Sequence, residues 1–296
     1  MKDYVIATCS TADISQEHMK KRGIEYIAFT YYINGREYKD DLGKTVSGES
    51  FYQIMRGGAD TKTSQPNKEA YKSFLLPFLK DELDVILLNL SSGISGAQSS
   101  GKMAEDELKS QFPNRKIYVV DSLGASSGMG LLVDKMADMR DAGVGIEELY
   151  AWVEANKLKV NHWFFSTDLT YYVKGGRVSR VAGWFGTVLK ICPILNVDKQ
   201  GKLIPKEKIR GKTGAIKRMV KIMEENAENG VNYSGKCYIS HSDCYEDAET
   251  LAHMIMAKFP HLEGGEVKIN NIGTTIGAHT GPGTVALFFF GKERES

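Results

Sequence analysis

Val85-Ile86-Leu87-Leu88-Asn89-Leu90 runs into Ser91-Ser92-Gly93-Ile94-Ser95-Gly96, and a helical pattern over 97–111 follows at once. The first six residues are apolar on both faces, as in a strand buried within a parallel sheet. The run 116–120 repeats the pattern and leads into a second helical stretch over 126–141. Further out, apolar runs at Tyr4–Ala7 and Ile24–Tyr32 and helical patterns over 47–56 and 67–80 extend the alternation. Strand and helix in turn predict a right-handed, parallel α/β sheet. Ser47 and Asn67 are N-cap candidates. Phe51, Ile54 and Met55 are expected on one helix face, and Pro77 is expected to kink or split its helix.

The second half reads differently. Strand candidates are His162–Ser166, Pro193–Val197, Leu203–Ile209, Lys236–Ser240, Val267–Asn271 and Val285–Phe290, with Asp198-Lys199-Gln200-Gly201 as a hairpin loop. Helical patterns over 213–228 and 244–258 interrupt them. This predicts an α+β domain with a mixed or antiparallel sheet. The division is expected near residue 160, after a helix over 146–158, giving domains 1–160 and 161–296.

A length of 296 residues suits two cores, because single cores stop growing at roughly 250–300 residues. The composition, 42% hydrophobic and 25% charged, is that of an ordinary globular chain. With 38 Lys+Arg against 37 Asp+Glu, no global field draws in nucleic acid or an anionic membrane. No run approaches the ~20 apolar residues of a membrane span. The first strand begins without a signal peptide ahead of it. Cys9, Cys192, Cys237 and Cys244 form no CxxC spacing, so a reducing cytoplasm is the expected compartment. His241 and Cys244 form an HxxC without a second ligand pair, and no metal site is expected.

Ligands of open parallel sheets bind where strand ends meet helix N-termini. Three such ends are rich in hydroxyl and glycine residues: Thr8-Cys9-Ser10-Thr11, Ser91–Gly96 and Asp121-Ser122-Leu123-Gly124. A fourth segment, Thr61-Lys62-Thr63-Ser64-Gln65-Pro66, reads as a loop before a helix. Singly each is a helix cap; together they suit an anion. That anion need not be a nucleotide, and no nucleotide site is indicated. Gly230-Val231-Asn232-Tyr233-Ser234-Gly235-Lys236 follows a helix and precedes a strand, the reverse of a phosphate loop, and Cys237 stands where Ser or Thr should be. Gly128-Met129-Gly130 lacks the third glycine of a dinucleotide loop and sits in a helical pattern. Ser95 has Gly93 two residues before it, but Ala97 replaces the second glycine of a nucleophile elbow. An acyl hydrolase built on Ser95 and His279 therefore stands as an alternative, with His279 in the glycine-rich loop Gly277–Gly283. The same residues also read as neutral donors to a carboxylate.

In these segments the chain resembles the DegV family of bacterial fatty-acid-binding proteins, which includes the FakB proteins. The resemblance runs over nearly the whole length through Ser10-Thr11-Ala12-Asp13, Thr63-Ser64-Gln65-Pro66, Ser92–Gly96 and Asp121-Ser122. It continues through Lys174-Gly175-Gly176-Arg177-Val178-Ser179 and Cys192–Leu195 to His279-Thr280-Gly281-Pro282-Gly283. It implies two α/β domains with an acyl chain between them and a carboxylate held by Thr63, Ser95 and the Gly96 N–H. Arg177 and His279 are implied at or near the same network, with Cys9, Ser10 and Ser64 as neighbours. For Arg177 the alternative is an ion pair between domains; for Gly175 and Gly176 it is a tight turn. The resemblance further implies a carrier without catalytic residues or cofactor, serving phospholipid synthesis. Its partners would be a long-chain fatty acid, a separate fatty acid kinase and, transiently, a membrane. A lipid-sensing regulatory module shares the same pocket. One departure stands out: the family's first loop carries aspartate where this chain has Cys9, which removes a charge near the expected head group and introduces a thiol.

Overall fold

The structure, a computed structural model, describes residues 4–178 and 191–295. The first half contributes β1 (Tyr4–Cys9), β2 (Ile24–Ile27), β3 (Thr30–Ile33), β4 (Arg36–Lys39), β5 (Thr61–Ser64), β6 (Asp84–Asn89) and β7 (Ile117–Asp121). Four of these form a sheet ordered β2-β1-β6-β7 with every pairing parallel. Helices Gln16–Arg22 and Ala97–Gln111 lie between β1 and β2 and between β6 and β7. The loops after β1 and β6 thus emerge side by side at the carboxyl edge.

The second half contributes β8 (Val160–Ser166), β9 (Ile191–Val197), β10 (Leu203–Arg210), β11 (Cys237–His241), β12 (Val267–Asn271) and β13 (Thr284–Phe290). They form one sheet, β10-β9-β8-β13-β11-β12, in which β11–β12 is parallel and the other pairings are antiparallel. This is the two-domain α/β architecture expected, with a parallel N-terminal sheet and a mixed C-terminal one.

Several expectations are corrected. The apolar run 24–32 is two strands in different sheets. The chain breaks at Phe29, whose N–H goes to Ser10 Oγ at 3.1 Å and whose carbonyl accepts from Asp40 N at 2.9 Å. The segment around Thr63 is a strand, not a loop, and completes a small antiparallel sheet ordered β4-β3-β5. Asn34-Gly35, both at positive φ, turn β3 into β4; an Asn-Gly pair is the signal from which this hairpin was legible. Helix Lys68–Lys80 contains Pro77 without splitting, and Asn67 caps it. Ser47 caps helix Gly48–Arg56, but that helix buries Phe51, Tyr52 and Met55 and leaves Ile54 exposed. His279 belongs to a helix, Thr274–Thr280, rather than to a loop. The lysine of the rejected phosphate loop, Lys236, is engaged with Asp134 and Asp138, each at 2.6 Å.

Alternate residues of β13 serve two cores. Val285, Leu287 and Phe289 pack into one cluster with helices Lys212–Asn226 and Tyr245–Lys258, while Ala286 and Phe288 face the other domain. Between the two sheets runs helix Ser126–Asp141, with twelve buried residues. The buried set includes Asp134 and Arg140 beside the apolar residues. The glycines of Gly128-Met129-Gly130 allow its close approach. A Cβ on Gly128 would lie 2.3 Å from His162 Nε2 and 2.7 Å from Phe288, and one on Gly130 would meet the Ala12 carbonyl at 2.6 Å. On an exposed helix, Gly→Ala adds about 1 kcal/mol of stability. Gly128→Ala is instead expected to remove roughly 1–3 kcal/mol through overpacking, read as a lowered urea midpoint. A variant as stable as the parent would refute this packing.

Candidate functional site

Between the sheets lies a cavity of about 350 Å³, within the size range of small-molecule sites. One wall is the inner face of the second sheet: Thr284, Ala286 and Phe288 of β13, with Phe164 and His162 of β8. Helix Thr274–Thr280 supplies Thr275, Ile276, His279 and Thr280, and the first domain closes the space with residues such as Phe29, Leu90, Ile94 and Ala125. Thr63, Ser64, Gln65, Ser95, Arg177 and His279 also line it. Among the described lining residues Arg177 is the one carrying a fixed charge, and no carboxylate is present.

The polar groups are held by their own elements. Thr63 lies on β5, and its hydroxyl meets His279 Nε2 at 2.7 Å across 216 residues of sequence. Ser95 Oγ donates to Gln65 Oε1 at 3.1 Å and accepts from the Ala97 N–H at 3.2 Å, in the first turn of helix Ala97–Gln111. Gly96 is the N-cap of that helix, where any Cβ would press on the Gln65 amide at 3.0 Å. Arg177 donates through Nε to the Ile94 carbonyl at 3.4 Å and through Nη1 to the Gly175 carbonyl. The alternative for this side chain, an ion pair between domains, is not found among the described residues; its recorded partners are carbonyls. Gly175 does more than turn the chain, since its Cβ would lie 2.5 Å from His279 Nδ1, whereas Gly176 takes the positive φ. Ser179, the last residue of that motif, lies outside the described residues.

Burial first, and then the nearby Arg177 cation, push His279 down to about 4. The imidazole is therefore neutral at pH 7, and its Nδ1 is buried without a hydrogen-bond partner in the structure. Burial also holds Arg177 below the usual arginine range. The mouth thus combines hydroxyls, a neutral imidazole and a partly desolvated guanidinium, a set suited to an anion. Ser95 and His279 share the cavity but not a hydrogen bond: one is bound to Gln65, the other to Thr63.

Of the expected neighbours, Ser64 lines the cavity, whereas Cys9 and Ser10 lie outside its wall. Cys9 is fully buried, donates to Asn89 Oδ1 at 2.9 Å, and has its thiol pushed up to about 12 by burial. Cys9 is thus a small buried core residue rather than a reactive thiol of the pocket. Ser10 instead holds the break between β2 and β3. The HxxC pair is a local turn, with the Cys244 N–H donating to His241 Nδ1 at 3.3 Å. Sequence reasoning missed Tyr172, Thr280 and Thr284 as lining residues. Tyr172 meets Thr284 at 3.0 Å across 112 residues, a contact without any local signal.

Fold and cavity together define a class: two-domain α/β proteins that enclose an apolar space between their sheets and place donor groups at one end of it. The sequence profile of the DegV family, described as uncharacterised proteins, matches residues 4–292. The chain belongs to the DegV family. It is 36% identical over 295 residues to a DegV domain-containing protein of Clostridium perfringens, covering 100% of each chain. It is 31% identical over 283 residues to a fatty acid-binding protein of Thermotoga maritima, covering 94% of each. The crystal structure of a DegV lipid binding protein from Thermotoga maritima matches with a TM-score of 0.85 at 30% identity, covering 100% of both chains.

A folded-state histidine pKa below its unfolded value means that the unfolded chain takes up a proton first. Stability contributed by the neutral His279 is therefore present above about 6.5 and declines as pH falls toward about 4. In an NMR titration the His279 ring is expected to stay neutral from pH 8 to about 5. A midpoint near the ordinary value would refute its burial.

Proposed function

We propose that this chain binds a long-chain fatty acid in the cavity between its sheets and holds the carboxylate at Thr63 and Ser95. The observation that carries the reading is the cavity wall: apolar along the sheet, free of carboxylates among the described residues, and furnished with donors and one guanidinium at the mouth. Burying each methylene contributes ~0.8 kcal/mol, so a chain of ~16 carbons offers on the order of 10 kcal/mol before ordering costs. A dry, unpaired carboxylate would cancel much of that. With His279 Nε2–H donating to Thr63 Oγ, the Thr63 hydroxyl proton is free to point at the carboxylate, and Ser95 offers a second. The Gly96 N–H is assigned as a further donor and Arg177 as the nearby countercharge. A neutral imidazole adds hydrogen bonding without a permanent buried ion pair. The name of the Thermotoga maritima relative supports the ligand class.

We take the division between domains at about residue 160, where the second sheet begins. The chain acts in the cytoplasm as a carrier without catalytic groups of its own. It presents the acyl carboxylate to a separate fatty acid kinase, which forms the acyl phosphate; loading involves transient contact with a membrane. The separate engagement of Ser95 and His279 favours this over a serine hydrolase.

Native mass spectrometry of the protein as purified from bacterial cells is expected to reveal one fatty acid per chain, lost in the Thr63→Ala, Ser95→Ala double variant. An empty protein that also refuses added fatty acids would sink the ligand assignment. The protein alone is expected to leave ATP and acyl esters untouched and Ser95 unlabelled by a fluorophosphonate probe. Turnover of fatty acid and ATP is expected when a fatty acid kinase is added, and its absence with a kinase active on its own carrier would refute the presentation role.

A further inference from the structure

We propose that Lys268 is a nucleophilic amine that condenses with small, uncharged carbonyl compounds, with His18 as its base. The site is a second cavity, of about 260 Å³, which shares no lining residue with the first; the inference does not depend on the fatty-acid reading. Helices Gln16–Arg22 and Ser126–Asp141 and strands β11 and β12 converge on it. Lys268 stands on β12 and is half-buried. Its Nζ lies 3.0 Å from His18 Nδ1 and 5.4 Å from the centre of the Tyr238 ring. His18 Nε2 in turn lies 2.7 Å from Oδ1 of the buried Asp134. Carboxylate, imidazole and amine thus form a relay in which a buried acid orients a base and the base faces a nucleophile. With Nε2–H donated to Asp134, the Nδ1 lone pair is turned to Lys268.

Lys236, in the same cavity, is the contrast. It pairs with Asp134 and Asp138 at 2.6 Å each. Burial opposes its charge, but those hydrogen bonds outweigh it and hold the ammonium above the usual lysine range. Lys268 has no ion pair with a carboxylate among the described residues, and burial holds it below that range. It therefore gives up its proton more readily than Lys236. The class of electrophile follows from charge. Arg22, Lys236 and Lys268 share the cavity with Asp134, Asp138, Glu263 and Glu266, so it offers no net attraction to an anion such as an acyl phosphate. Acylation would also make the nitrogen a neutral amide and forfeit its attraction to the Tyr238 ring face. Condensation with an aldehyde or ketone keeps the charge. His18 Nδ1 takes one proton from the ammonium, and the freed lone pair attacks the carbonyl carbon. A second proton passes from nitrogen to the carbonyl oxygen. His18 returns its proton as that hydroxyl leaves as water, and a protonated imine remains on Lys268.

The test is labelling of the full chain at pH 7 with propanal and cyanoborohydride, which reduces an imine to a stable secondary amine, followed by peptide mapping. Lys268 is expected to be the first lysine labelled, several-fold ahead of Lys236 and of the exposed lysines. In Lys268→Arg that first label is expected to disappear without moving to another lysine. His18→Gln and His18→Asn are each expected to slow labelling at Lys268 roughly ten-fold, the loss of a positioned base, with the rates compared on variants whose urea midpoint shows them folded. Acetyl phosphate in a parallel reaction is expected to leave Lys268 no more modified than its neighbours. Labelling spread evenly over the exposed lysines, or Lys236 ahead of Lys268, would overturn the inference. So would a folded His18 variant labelled at the parental rate, or acylation of Lys268 by acetyl phosphate ahead of propanal addition.

Discussion

Helix Ser126–Asp141 has almost no solvent face, and its burial between the two sheets is the constraint on which the rest of the molecule depends. Its apolar side chains join the sheets into one core, while its glycines bring it against His162 and Phe288. One carboxylate on it is buried as well. Asp134, with its side chain 2% exposed, accepts from His18 and Tyr238 and pairs with Lys236, at 2.7, 2.8 and 2.6 Å. Burial opposes its ionisation, but the hydrogen bonds from His18 and Lys236 outweigh that and hold it below the usual carboxylate range. With Arg22 Nη1 at 3.5 Å, four partners from two domains thereby converge on one anion. Removing any of them would leave a buried charge short of a partner, the costly case for an internal ion pair.

Beside the start of this helix, where Ala125 and Ser126 line it, the space between the sheets is not filled. Protein interiors are close-packed, so a cavity of about 350 Å³ lined largely by hydrocarbon is a feature rather than a packing fault. Its polarity is graded by secondary structure. Strand β5 and the helix N-terminus at Ser95 bring hydroxyls to the mouth, and the alternation of β13 turns Thr284, Ala286 and Phe288 successively inward. The neutral state of His279 belongs to the same arrangement. Desolvation and the Arg177 cation both disfavour its proton, leaving a hydrogen-bonding ring instead of a second cation.

The two halves were legible because their apolar runs differ in kind. Val85–Leu90 is apolar on both faces because both faces are buried, and Asp198–Gly201 closes a hairpin between β9 and β10 as its residues suggest. The errors fall where local pattern and tertiary pairing diverge. Ile24–Tyr32 reads as one strand by hydrophobicity, yet Ser10 Oγ takes the Phe29 N–H and ends the ladder there. Thr61–Ser64 carries no apolar face, so its pairing with β3 left no trace in periodicity. Gly277 and Gly281 made the His279 segment look like a loop, although Gly281 merely ends a helix.

Sequence by itself determined the two α/β halves, the hydroxyl-rich strand ends and, through ordered motifs, the family. These are properties of local spacing, and spacing is what a sequence records. The tertiary structure decided which of those groups meet. Thr63 and His279 are 216 residues apart and share a hydrogen bond, while Cys9, adjacent to a motif, points into the core at Asn89. Contacts of that kind depend on how a rigid sheet and a buried helix orient side chains in space, information that no run of neighbouring residues contains.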